Sequence, residues 1–350
     1  SSLCFINEKF SIGVLSSYKT KMMNENLAPV TIPTLCRYEH FKRCIESLSR
    51  CTLADKTEVY VALDYPAKES HWNGYNKIKD YLLSHKEDNL GFKKLIVIQR
   101  SRNYGLGEEG NIMTLRKEIF SKYESVISSE DDNEFSPNFL VYMNKGLEKF
   151  KDSPDIFAIC GFYHGEDLGD YQHNYYVDYE TCAWGIAYWK DKYEEFLDFC
   201  QKNPARDILL SKKMLTVFKV CKLWILPLLI MNRKRVQWGD YYMGMYCCFN
   251  KMVNIHPVIS KVRNWGLDGS GATCNQADNR YANIKIDQAE NYIFDDYHEV
   301  KCQEDYIFKC LYPYRNSLSL KEKFKIMVYL GVFSFLLIVD LFDKNRKYPV

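Results

Sequence analysis

From Ala28 to Phe162 the apolar positions switch repeatedly between alternating or continuous runs and helical spacing. "APVTIP" (28–33) reads as a strand closed by Pro33. "RYEHFKRCIESLSR" (37–50) then places Phe41, Cys44, Ile45 and Leu48 on one helix face. "EVYVALD" (58–64) is a second strand ending on Asp64, and Tyr75, Ile78, Tyr81 and Leu82 form a second helical stripe. "KKLIVIQR" (93–100) is nearly continuous in apolar residues, the pattern of a buried parallel strand. "NYGLGEEGN" opens a helix through Ile112, Leu115, Ile119 and Phe120, and "ESVISS" (124–129) is a fourth strand. Pro137 takes the favoured first-turn position of the next helix, before a fifth strand at "DIFAICGF" (155–162).

Strands and helices at this interval predict an α/β fold with a mainly parallel sheet flanked by helices. In such sheets ligands bind beyond the carboxyl ends of the strands. Asp64 and the run Glu130-Asp131-Asp132 both fall there. Beyond residue 165 the pattern turns irregular and aromatic. "WGIAYWKDKYEEFLDF" (184–199) reads as a turn leading into an amphipathic helix, and "VQWGDYYMGMYCCF" (236–249) as a helix. "HPVISKVRNWGLDGSGATC" (256–274) reads as a short strand and a glycine-rich loop. The expected organisation is an α/β half over 28–165, a second half of the same domain over 166–275, and a helical extension over 276–350.

Composition narrows this little. The hydrophobic and charged fractions, 47% and 26%, are those of an ordinary globular protein of 350 residues. The net charge of +2 gives no reason to expect a nucleic-acid partner. Thirteen cysteines, an odd number without zinc-type Cys-x-x-Cys spacing, read as reduced thiols in a cytoplasmic protein. No basic-then-apolar leader pattern opens the chain. The 27 tyrosines suit a surface for sugars and serve equally well as core.

Three acids in a row after a strand can hold Mn²⁺ or Mg²⁺ against a diphosphate, and can equally be a solvated turn capping the next helix. Their place in the fourth strand–helix unit favours the metal. Asp64 suits a base or ribose and suits a turn as well. Arg102, in "RNYGLG", can approach phosphates, although that stretch lacks a complete dinucleotide fingerprint, and no P-loop occurs. Asp240 sits among aromatic residues, where a carboxylate can gain a raised pKa and act as a base; a helix-start acid is the alternative. The absence of H-E-x-x-H and G-x-S-x-G motifs leaves zinc and serine hydrolases without support.

Taken in order, "APVTIPTLCRYEHFKRCIESL", "VALD", "RNYGLGEEGN" and "SSEDDNEFSPNFLVYM" resemble the GT-A fold nucleotide-sugar glycosyltransferases of the family 2-like type. The second half is similar to the N-acetylglucosaminyltransferase I group through "CAWGIAYWKDKYEEF", "WGDYYM" and "HPVISKVRNWGLDGSG". The resemblance covers roughly residues 28 to 275 and implies a Rossmann-like GT-A domain. It implies Asp132 as the metal ligand, Glu130 and Asp131 as contacts to the sugar-nucleotide, and Asp64 at the uracil or ribose. Arg37 is what remains of the family's Tyr-Asn-Arg sequence after the first strand. Asp240 would be the catalytic base, with Trp184, Gly185 and Trp238 on the acceptor side. Residues 203–235 have no counterpart in the family.

The implied activity is inverting, metal-dependent transfer from a UDP-sugar to a hydroxyl of a glycan or lipid-linked acceptor, as in bacterial surface polysaccharide synthesis. The cofactor would be Mn²⁺ or Mg²⁺. A sugar-phosphate nucleotidyltransferase is the nearest alternative, but "TLCRYEH" has no phosphate-binding glycine. A silent sugar-binding or membrane-docking protein is the other. Apolar stretches with basic flanks, 209–235 and 321–347, suit peripheral contact with an anionic membrane and suit buried helices equally.

Overall fold

A computed structural model describes residues 27–311, except 108, 166, 221–224, 235, 236, 238 and 272–280, together with a few positions between 324 and 335. Residues 1–26 and most of the apolar run 321–347 therefore lie outside the described residues.

The first half folds as its periodicity predicts. Strands β1 (Val30–Thr34), β2 (Glu58–Leu63), β3 (Lys94–Gln99) and β4 (Ser125–Ser128) alternate with helices α1 (Tyr38–Ser49), α2 (Trp72–Ser84) and α3 (Asn111–Phe120). β1 pairs in parallel with β2 on one side and β4 on the other, and β2 pairs in parallel with β3. β3 differs from expectation. Its apolar run suggested a strand buried on both faces, yet it forms the sheet edge and Val97 is 41% exposed. Three lysines and arginines around it (Lys93, Lys94, Arg100) flank an edge that has only one pairing partner.

After β4 the chain forms β5 (Asn133–Phe135), α4 (Phe139–Lys149), β6 (Ile156–Cys160), β7 (Tyr175–Asp178) and β8 (Ile186–Trp189). α5 (Lys190–Lys202), α6 (Ala205–Leu210), α7 (Lys213–Val220), α8 (Ile225–Lys234) and α9 (Gly239–Asn250) follow, then β9 (Val253–Pro257) and β10 (Val262–Asn264). Two short helices, α10 (Tyr297–Cys302) and α11 (Glu304–Leu311), close the described region. The eight-stranded sheet runs β3-β2-β1-β4-β8-β6-β9-β7. β8 inserts antiparallel between β4 and β6, and β7 lies antiparallel on β9, so six of the eight strands point one way. β8 comes from "IAYW", part of the stretch expected to be only a turn and a helix.

One apolar layer, with Ile32, Phe41, Phe139, Tyr142 and Ile159, fills one side of the sheet; a second, with Leu115, Phe157, Tyr188, Tyr193 and Tyr242, fills the other. Residues 281–300 do not stand apart as an extension. Phe294 stacks on Tyr142 with ring centroids 5.1 Å apart, and Val300 is buried in the first layer. Asp287 pairs with Lys261, whose side chain is 1% exposed. Among the described residues no helix is long and apolar enough to cross a membrane.

Candidate active site

β1 is followed by a crossover to β2 on one side and has β4 on the other, so the crevice at its carboxyl end is where the strand order reverses. Thr34 ends β1, and Glu130, Asp131 and Asp132 follow β4 after Ser129. The backbone holds them in register: Ser129 N–H donates to Thr31 O at 2.9 Å. Asp131 Oδ2 accepts from Thr34 Oγ1 at 2.8 Å, and its Oδ1 pairs with the Arg37 guanidinium. The same Arg37 Nη2 donates to Asp132 Oδ2 at 2.7 Å, while Asn264 Nδ2 donates to Asp132 Oδ1 at 2.7 Å. Burial works against the arginine's charge, but the two carboxylates hold its pKa above the ordinary value. Burial also pushes Asp131 up, although Arg37 and the Thr34 hydroxyl oppose it.

Asn264 reaches Asp132 because β5 and β10 form a separate antiparallel ribbon with Asn133 opposite Asn264. The chain then continues over the acids. Trp265 N–H donates to Asp132 O at 2.9 Å, and Trp265 Nε1 donates to Glu134 at 2.8 Å. A Cβ on Gly266 would lie 2.0 Å from Asp132 Oδ2, so only glycine lets the loop pass there. His40 Nε2, on α1, meets Asp268 Oδ2 at 2.9 Å and ties the far end of the loop down.

In the structure Asp131 is the one tied to β1, and Glu130 is held by neither Arg37 nor Thr34. Burial and the fields of Asp132, Asp240 and Asp131 push the Glu130 carboxyl well above its usual range, with Arg37 opposing. Asp240, in the first turn of α9, thus lies near enough for its charge to act on Glu130, although more than a hundred residues separate them in the chain. Burial pushes Asp240 up to about 6, with the Ala183 N–H and Arg116 opposing. Thr181 Oγ1 donates to Asp240 O at 2.9 Å, so the segment before β8 supports the start of α9.

The remaining candidates divide. Asp64 ends β2 as expected, but its oxygens accept from Tyr65 N, Tyr104 N and Gly105 N at 2.9 Å each and from Asn103 Nδ2 at 3.3 Å. Those donors fill the lone pairs of a carboxylate, so Asp64 organises the loop after β3 and has no free acceptor for a base or ribose in this conformation. Arg102 is exposed on that loop, its guanidinium 5.0 Å from the Tyr104 ring. Trp184 packs edge-on against Phe162 and Tyr281, at 4.7 and 5.2 Å, forming a partly exposed aromatic face. Gly185 has φ +70°, and a Cβ there would meet Val262 at 2.8 Å and Phe139 at 2.9 Å. Close packing and backbone conformation both require a glycine here. Trp238 lies outside the described residues. Thr34, Asn264, Gly266 and Arg116 were not singled out from sequence; of these only the glycine lay in a stretch whose composition marked it as a glycine-rich loop.

Hard oxygen donors and an excess of negative charge fit Mg²⁺ or Mn²⁺ held by one or two carboxylates and completed by phosphate oxygens. They do not make a protein-only chelate: among the described residues no three His, Cys, Asp or Glu side chains are arranged to hold a metal. Arg37 is the cation that bridges Asp131 and Asp132 here.

No family model matches the chain, and no curated protein sequence matches it. Among solved structures it is similar to residues 1–349 of Staphylococcus aureus TarS, at 16% identity and a TM-score of 0.33, covering 49% of this chain and 48% of that one. The mannosyltransferase PcManGT of Pyrobaculum calidifontis, solved with GDP-Man and Mn²⁺, is similar at 10% identity and a TM-score of 0.36, covering 69% of this chain and 77% of that one. The Streptococcus pneumoniae glycosyltransferase GlyE is similar at 14% identity and a TM-score of 0.26, covering 51% and 40%. The chain spans about half the length of the TarS fragment it matches.

Proposed function

We propose that the protein is a metal-dependent, inverting glycosyltransferase that moves a sugar from a UDP-sugar to a hydroxyl of a glycan or lipid-linked acceptor. The observation that carries this reading is the placement of two unlike acidic groups across one crevice. Asp131 and Asp132 are paired with Arg37 at the sheet's switch point, and Asp240, whose charge reaches their neighbour Glu130, has no ion pair to Arg37. The first group suits a cation and a diphosphate, the second a proton.

Asp132 would hold the metal, which when bound neutralises charge on the leaving diphosphate. Arg37, released from the acids, would turn its guanidinium to phosphate oxygens. Glu130, unclaimed by Arg37, suits the hydroxyls of the donor sugar. Asp240, ionised above about 6, accepts the acceptor hydroxyl's proton as that oxygen attacks the anomeric carbon. A single displacement from the face opposite the diphosphate inverts the configuration. Trp184 and its aromatic neighbours offer an apolar face for the acceptor. The loop from Trp265 to Ser270 covers the acids and excludes water.

The test is a thermal-shift screen of nucleotide-sugars with and without Mn²⁺. Stabilisation by a UDP-sugar that requires the metal, and that is lost in Asp132→Ala, is the expected result. Pyrophosphate release from a nucleoside triphosphate would instead assign a nucleotidyltransferase.

A further inference from the structure

Arg116 carries a buried charge that the acidic crevice does not explain. It lies on α3, whose Leu115, Ile119 and Phe120 seat the helix on the sheet. It is 6% exposed, and among the described residues no carboxylate lies within ion-pairing distance of it. Instead Nη1 donates to the Tyr193 hydroxyl at 2.6 Å and Nη2 to Ser128 Oγ at 3.0 Å. The rings of Tyr193 and Tyr188 stand 5.0 and 5.4 Å from its Cζ. Its Nε is buried with no partner.

Burying a guanidinium without a carboxylate is costly, and a leucine or methionine would fill the same apolar layer at no such cost. Something must recover the loss, and the cage shows where. Ser128 is the last residue of β4, two before Glu130. Tyr188 donates from its hydroxyl to Met243 Sδ at 3.6 Å, and Met243 lies one turn beyond Asp240 on α9. One guanidinium therefore braces both elements that carry the acids.

We propose that Arg116 is a positioning residue: its caged guanidinium holds the first turn of α9 against the end of β4 and supplies the compensating charge for the Asp240 carboxylate. The catalytic consequence rests on the reading of Asp240 as the base, but the coupling between the two residues does not. The groups coupled electrostatically to Asp240 are Glu130 after β4, Cys160 on β6, Cys182 and the Ala183 N–H before β8, Tyr188 on β8 and Arg116 on α3. Arg116 is the one cation in that set of described residues.

A double-mutant cycle on folding stability tests this in the full chain, using Arg116→Met, Asp240→Asn and the pair, by urea denaturation above and below the Asp240 titration near 6. Arg116→Met is expected to lower the folding constant about tenfold more when Asp240 is present than when it is Asn. That difference should shrink at the lower pH, where Asp240 is protonated. Equal losses in both backgrounds overturn the proposal. If Arg116→Met folds in neither, Tyr193→Phe, which removes the Nη1 acceptor and a weak hydroxyl contact to Met113 Sδ, goes through the same cycle on the same criterion. Full turnover in Asp240→Asn would sink the catalytic reading alone and leave the coupling to stand or fall by the cycle.

Discussion

The two sides of the crevice use the same side chain to opposite ends. After β1 and β4, each carboxylate oxygen of Asp131 and Asp132 has one close partner among Arg37, Thr34 and Asn264. Among the described residues Asp240 has no ion pair at hydrogen-bond distance; a backbone N–H and the more distant field of Arg116 favour its charged form. A carboxylate that must hold a charged ligand gains from neutralising partners. One that must take up and release a proton gains from their absence, because burial then brings its pKa toward neutrality. On the proposed function, the difference separates a binding half from a reacting half within one sheet.

The largest effect should come from the reacting half. Asp240→Asn should lower turnover about 10²- to 10⁴-fold while UDP-sugar binding, measured by calorimetry with Mn²⁺, stays unchanged. A parallel loss of binding would erase the proposed division. In the wild type, turnover should fall as pH drops below about 6, as the base is protonated.

On the binding side, Arg37→Met leaves two buried carboxylates uncompensated and should cost roughly 3–5 kcal/mol of stability in chemical denaturation. Asp240→Asn should do the reverse. A carboxyl with a folded pKa raised to about 6 adds stability below its unfolded value near 3.8, and that stability is lost as pH rises through the folded value. The Asn variant should therefore match or exceed the wild type in melting temperature above pH 6 and lose that advantage in acid. If both variants destabilise alike at neutral pH, the two acidic groups are not different in kind.

Gly266→Ala forces Asp132 and the covering loop apart, and should weaken Mn²⁺-dependent UDP binding about 10- to 100-fold with little change in melting temperature. The clash lies in a loop and not in the core. Smallest of all, His40→Ala releases only the exposed Asp268 anchor and should raise the apparent Kd for UDP about two- to fivefold, as expected for one partly exposed pair.

Much of the binding half was legible in the sequence because its elements are local. Periods of two and 3.6 residues alternate from β1 to α4, and the acids follow a strand in plain view. The second half was harder to read for a physical reason. β8 is four residues long, runs antiparallel and belongs to a sheet position filled out of chain order, so no local period announces it. Gly185 looked like an acceptor residue, whereas its conformation and the contact with Phe139 demand a glycine. Arg116 has the same letters around it whether it points to water or into a tyrosine cage. Only the three-dimensional path of α3 decides that, and the same holds for Asn264, which acquires its role from a pairing with Asn133 across the fold.

That pairing has a mechanical consequence. The β5–β10 ribbon joins Asp132 and the covering loop with no slack: the residue after Asp132 is laddered to the residue before Trp265, and Trp265 N–H closes back on Asp132 O. The loop cannot lift as a free flap while the acid stays behind. Opening must strain or break the hydrogen bond from the Trp265 amide to Asp132 O, so the exchange of that one amide with deuterated solvent would time the uncovering of the acids, residue-specifically and without any substrate in hand.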